Sequence, residues 1–190
     1  MRKSIVVAVS LLFLVAPAFA QHPAHSNTVS VFVSDLTLSQ SRSSGASLDA
    51  GYGAAFDHMF NDRLSGEVSV TSERQRRTFG SLSATGALTL FTRSNTIYPV
   101  DANVSYHFLT NSRWKPYAGV GMRYVSFTST EFSPSGRTWR TVNPEVSGGI
   151  TFQFRPNLGL RFDAKQILGG DQSIIADPAF KASVGLSFRF

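Results

Sequence analysis

The chain has 190 residues, which allows one domain of ordinary size, and its lack of cysteine excludes disulfide scaffolds, cysteine metal sites and thiol catalysis. Hydrophobic residues make up 42% and charged residues 16%, too apolar for disorder and too poor in charge for a cytosolic helical protein, where about 25% is usual. The formal charge is +6, and a mean hydropathy of −0.02 excludes a bundle of transmembrane helices.

Arg2 and Lys3 make a positive start. An apolar run follows from Ile5 to Val15, broken only by Ser10, and Ala18-Phe19-Ala20 supplies a small-x-small cleavage site. This predicts a secretory signal peptide over 1–20, since the apolar run is shorter than the ~20 residues that span a bilayer. A flexible tail, 21–27, precedes a domain over 28–190. The signal holds two of the 18 basic residues and none of the 12 acidic ones, so the mature charge is +4. Arg74, Arg76 and Arg77 form the one basic knot, and the other charges are dispersed. An exported chain of this kind is not expected to meet nucleic acid.

Beyond Ala20 no segment sustains a helical period. Apolar residues alternate instead with polar or tiny ones, as on a strand with one apolar face. The first expected strand, 28–38, opens with Val29, Val31 and Val33 and shifts phase near Asp35. In 47–58, Leu48, Ala50, Tyr52, Ala54 and Phe56 alternate with Asp49, Gly51, Gly53 and Ala55. In 63–73, Leu64, Gly66, Val68 and Val70 alternate with Ser65, Glu67 and Ser69. In 97–109, Val100, Ala102, Val104, Tyr106 and Phe108 alternate with Asp101, Asn103, Ser105 and His107. In 115–128, Ala118, Val120, Met122 and Tyr124 face away from Tyr117, Gly119, Gly121 and Arg123. The last three strands, 141–154, 157–168 and 178–190, repeat the pattern down to Phe188 and Phe190.

Tight turns are expected at Asn61-Asp62-Arg63, Thr110-Asn111-Ser112 and Arg155-Pro156-Asn157. Longer links are expected at 39–46, 74–96, 129–140 and 169–177. Short and long links alternate strictly, as in an outer-membrane barrel with short periplasmic turns. The fold expected is therefore all-β, an eight-stranded antiparallel up-and-down transmembrane β-barrel.

Such a sheet closes with its apolar face either inward, as in a lipocalin, or outward against lipid. The polar face also carries Gly51, Gly53, Gly119, Gly121, Gly149, Gly159 and Gly185, which suit the crowded inside of a narrow barrel and would only weaken a water-facing surface. The charged face is accordingly placed inside. The expected lumen network comprises Asp49, Glu67, Asp101, His107, Arg123, Glu145, Arg161, Asp163, Lys165, Lys181 and Arg189. Phe56, Tyr106, Phe108, Phe152, Phe154, Phe188 and Phe190 are expected to form an interfacial girdle on the periplasmic side.

Pro99 through Phe108, followed by Lys115-Pro116-Tyr117-Ala118-Gly119-Val120-Gly121-Met122-Arg123-Tyr124, resembles the outer-membrane protein W (OmpW) family. Asp177-Pro178 and the closing Val184-Gly185-Leu186-Ser187-Phe188-Arg189-Phe190 look similar to that family's last strand. The resemblance covers 97–190 well and the first half in outline, and its motifs mark small eight-stranded barrels generally. It implies an outer-membrane location and a narrow channel for a small apolar solute. It also implies Phe188 and Phe190 as a signal read by the assembly machinery, with outer-membrane lipid and lipopolysaccharide as surroundings. The lumen departs from the family's apolar channel, since paired charges there would plug it.

The histidines are His22 and His25 in the tail, His58 beside a turn, and His107 near the periplasmic end of its strand. None is placed at the outer rim, where lipid chemistry needs a serine–histidine pair with an orienting acid. No catalytic site, cofactor or metal site is expected. The function expected is a non-enzymatic outer-membrane barrel with a structural or surface role or passage of small molecules. The alternatives are a lipid A-modifying barrel enzyme and a soluble lipocalin-like periplasmic lipid carrier.

Overall fold

A computed structural model describes residues 26–35, 46–48, 50–82, 88–109, 111–129, 137–168 and 180–190. The expected signal peptide, His22, His25 and Asp49 lie outside the described residues, as do the side chains of Arg76 and Arg77. The described residues form ten strands and no helix. They are β1 (Asn27–Asp35), β2 (Ala46–Leu48), β3 (Gly51–Met59), β4 (Leu64–Leu82), β5 (Leu88–Ile97), β6 (Val100–His107), β7 (Trp114–Ser129), β8 (Arg137–Arg155), β9 (Leu158–Ile167) and β10 (Phe180–Arg189).

Around the wall the order is β1, β3, β4, β6, β7, β8, β9, β10 and back to β1, every pair antiparallel. β2 pairs with Gln75–Arg77 of β4, continuing the line of β3. β5 pairs with Glu73–Leu82, continuing the line of β6. Ten strands thus make the eight staves of an antiparallel barrel that closes on itself, β10 pairing back onto β1. The β5–β6 break falls at Tyr98-Pro99, because proline has no N–H for the ladder. The Pro99 carbonyl still accepts from the Thr71 amide at 3.1 Å. The seam between first and last strand is closed by Asn27 and Phe190, each amide donating to the other's carbonyl at 3.0 and 2.9 Å.

The expected short turns gather at one end with this seam. Asn61 Oδ1 accepts from the amides of Arg63 and Leu64, both at 2.9 Å, which closes the β3–β4 turn. Ser112 Oγ accepts from the Trp114 amide at 3.1 Å in the β6–β7 link. Pro156-Asn157 alone joins β8 to β9.

The other end departs from expectation. Residues 74–96 were expected as the longest loop, yet most of that stretch is strand: β4 runs to Leu82 and β5 starts at Leu88. Likewise β7 runs to Ser129 and β8 starts at Arg137, which shortens the expected 129–140 link. Outside lipid both faces of a strand are polar, so the apolar alternation that reveals a strand disappears there. Among the described residues β4 and β8 have 19 residues each, β1 has 9 and β10 has 10.

The barrel is inverted relative to a soluble protein. Among the described residues five hydrophobic side chains are buried against eighteen polar or charged ones, so the interior is polar. Val120, Met122, Val142, Val33 and Leu186 stand outside, each more than half exposed. No charged residue occupies the outward positions of β6, of β10, of β7 from Trp114 to Tyr124, or of β8 from Val142 to Phe154. Exposed Phe60, Tyr106, Phe108, Trp114, Phe154 and Phe188 ring the short-turn end. Exposed Tyr52, Tyr98 and Tyr124 mark the opposite border, a second ring that the sequence reading did not include.

Candidate functional site: the lumen and its short-turn mouth

Alternation puts Glu67, Ser69, Thr71 and Glu73 of β4 on the inward face, opposite Arg161, Asp163 and Lys165 of β9. β4 and β9 stand four staves apart in either direction, so a contact between them spans the full lumen. Arg161 forms an ion pair with Glu67 across this gap. Lys165 Nζ lies 3.4 Å from Glu67 Oε1, 3.3 Å from Asp101 Oδ2 and 3.6 Å from Glu145 Oε1. One ammonium therefore gathers three carboxylates from three strands. Asn103 Nδ2 donates to Glu145 Oε1 at 2.7 Å.

A second cluster lies farther from the turns. Glu73 takes the Arg123 guanidinium on one oxygen and Lys181 Nζ, at 3.0 Å, on the other. Lys181 also donates to Thr71 Oγ1 at 2.8 Å. Arg123 is fully buried and Lys181 is 2% exposed, so these are sealed charges rather than rim pairs. Ions taken so completely from water cost several kcal/mol each unless paired, which explains why acids and bases interleave here. Ile97, Pro99, Val125 and Ile167 are buried on the same inward faces toward the long-link end.

Nearer the turns, Tyr117 Oη donates to Asp163, and Arg161 Nε donates to Tyr117 Oη at 2.8 Å and to Asp163 Oδ1 at 2.9 Å. The Arg161 guanidinium also lies 5.0 Å over the Tyr117 ring. His107 Nε2 shares a hydrogen bond with Ser65 Oγ at 3.0 Å, and its ring packs against Tyr117 at 5.4 Å. Below this layer is a cavity of about 340 Å³ that opens between the short turns and is reached by His107, Lys115, Arg161 and Arg189.

Of the expected residues, Glu67, Asp101, Glu145, Arg161, Asp163 and Lys165 meet in one connected group, Arg123 and Lys181 meet on Glu73, and Arg123 Nε, 4.0 Å from Asp101 Oδ1, links the two. His107 and Arg189 lie apart from both groups, in the cavity wall. Glu73, Asp57, Asn103 and Tyr117 were not among the expected set. Glu73 was readable, since it extends the inward series Glu67, Ser69, Thr71 by one more step of two.

The lumen's glycines make room for inward aromatics at two places. Phe32 sits between Gly53 and Gly185 on the neighbouring strands. A Cβ on Gly53 would fall 2.7 Å from the Phe32 ring, and one on Gly185 would fall 2.6 Å from Phe32 Cβ. Tyr117 uses Gly149 in the same way, where a Cβ would fall 2.6 Å from Tyr117 Cζ.

Residues 6–190 match the family model described as the outer membrane protein beta-barrel domain. The chain belongs to the outer-membrane β-barrel family. The solved structures agree on the fold. The outer membrane protein OprG of Pseudomonas aeruginosa aligns with TM-score 0.60 and 14% identity, covering 88% of this chain and 96% of that one. The N-terminal β-barrel domain of Pseudomonas aeruginosa OprF gives 0.58 and 14%, covering 87% and 97%. Ail, the attachment invasion locus protein of Yersinia pestis, gives 0.51 and 12%, covering 89% and 100%. A search of curated proteins finds no match. Bacterial outer-membrane barrels carry short turns on the periplasmic side and longer loops outside.

Proposed function

We propose that this outer-membrane barrel is a non-enzymatic, plugged structural or surface protein rather than an open channel. The observation that carries the reading is the set of ion pairs crossing the lumen, from Arg161 and Lys165 on β9 to Glu67 on the opposite wall. A solute following the axis would have to part buried charges at two successive levels. The OmpW resemblance at Pro99–Phe108 and Lys115–Tyr124 suggests passage of a small apolar solute, and the charged interior argues against an axial route for one. The same inversion argues against a lipocalin-like carrier, whose cup must be apolar.

A lipid A-modifying activity is disfavoured by geometry. Ser65 meets His107 but is fully buried, and no carboxylate bonds the His107 ring among the described residues. The pair also stands at the short-turn end, away from the outer leaflet.

The test is reconstitution of the purified barrel in planar bilayers. No single-channel current is expected. Discrete, reproducible conductance steps would overturn the plugged reading, and altered lipid A in expressing cells would overturn the non-enzymatic one.

A further inference from the structure

Lys115 and Arg189 both reach the cavity between the short turns, and neither forms an ion pair or side-chain hydrogen bond among the described residues. The other described cations reaching into the lumen have carboxylate partners: Arg161 has Glu67 and Asp163, Lys165 has Asp101, and Arg123 and Lys181 share Glu73. The two are close enough to repel each other. Asp57 in the same wall is buried, bonded to Ser65 and attracted chiefly to Arg161 and more weakly to Arg189, and Asp62 reaches the cavity from an exposed turn. Lys115 and Arg189 thus face one half-enclosed polar space with no carboxylate at ion-pair distance among the described residues.

We propose that this vestibule is a binding site for a small oxyanion, a carboxylate or phosphate group arriving from the periplasmic side. Lys115 Nζ and the Arg189 guanidinium donate charge-assisted hydrogen bonds to it from opposite walls. Arg161 forms the inner wall, already neutralised by its acids. The cavity of about 340 Å³ holds roughly ten waters, so a small organic anion enters with its body in the polar rim. The site is a dead end facing one side, and its occupancy does not depend on whether the barrel conducts.

The lysine content offers a direct test. Beyond Lys3, the only lysines in the sequence are Lys115, Lys165 and Lys181, and the last two are buried in ion pairs. Trace acetylation of the folded, detergent-solubilised barrel, read by mass spectrometry, therefore reports Lys115 and the chain's amino terminus. Inorganic phosphate, against chloride of equal ionic strength, should slow acetylation of Lys115 several-fold and leave the amino terminus unchanged. Arg189→Gln should raise the phosphate concentration needed for half-protection roughly tenfold, the worth of one charge-assisted hydrogen bond. Arg155→Gln, an exposed arginine outside the cavity, should leave it intact. Acetate protecting as well as phosphate would assign a carboxylate-type oxyanion, and phosphate alone a phosphate group. Equal slowing at Lys115 and the amino terminus, no slowing at all, or protection unaffected by Arg189→Gln would overturn the site.

Discussion

Lys165 Nζ on β9 lies 3.3 Å from Asp101 Oδ2 on β6, three staves away around the wall. The contact crosses the interior, and the same ammonium serves Glu67 and Glu145. Lys165→Met leaves three buried carboxylates without their common cation. Breaking a buried ion pair from one side costs about 3–5 kcal/mol. Urea unfolding of the barrel in micelles should show a loss of that order, with Lys165→Arg much milder. An unchanged midpoint for Lys165→Met would mean that the lumen is wet.

The outward face can be mapped by depth. Val120 stands 64% exposed between the two aromatic rings, whereas Ser126 lies beyond Tyr124. Val120→Arg should cost about 2–4 kcal/mol of barrel stability and Ser126→Arg about 0–1. Equal effects in lipid-vesicle folding titrations would contradict the position of the membrane border.

Phe32 and its two glycines should behave as one unit. Phe32→Ala empties a filled interior position and should cost about 3–5 kcal/mol. Gly53→Ala brings a methyl within 2.7 Å of the ring and should also destabilise. The two together should cost less than their sum, and a strictly additive cycle would show that ring and glycine do not touch.

The closing residue has a structural role as well as the assembly role implied by resemblance. Removing Phe190 deletes both backbone bonds to Asn27 at the seam and the stacking partner of Phe188 at 6.3 Å. Slower appearance of folded protein in the membrane is expected, measured by pulse-chase and heat-modifiable migration. Normal kinetics would reject an assembly signal at Phe188 and Phe190.

Arg74 is exposed on β4, beyond the apolar band, and the proposed surface role gives it the phosphates of the outer leaflet as partners. Arg74→Gln should lower the lipopolysaccharide that co-purifies with the barrel, with no change in folding yield. Unchanged co-purification would remove this contact.

What could be read in the sequence follows the lipid. Wherever a strand crosses the bilayer, one face must be apolar, and the alternation in Val100–Phe108 or Phe180–Phe190 shows both the strand and its facing. The inward acids and bases follow from the same alternation. Arg74–Leu82 carries no such constraint, so that part of β4 leaves no alternation to read, whereas Glu73, just before it, continues the inward series Glu67, Ser69, Thr71. Phe32 blurs the pattern differently, since an aromatic on the inward face makes Val31–Val33 apolar on both sides. Its glycine neighbours lie on other strands, 21 and 153 residues away along the chain, a relationship that only the strand register discloses.

β4 does not end with the apolar band. From Ser72 to Leu82 it runs roughly 30 Å farther along its own line at the usual rise per residue, paired with β5 from Glu73 onward. A ribbon held by its own ladder thus stands clear of the hydrocarbon, a blade whose backbone does not depend on lipid for its shape.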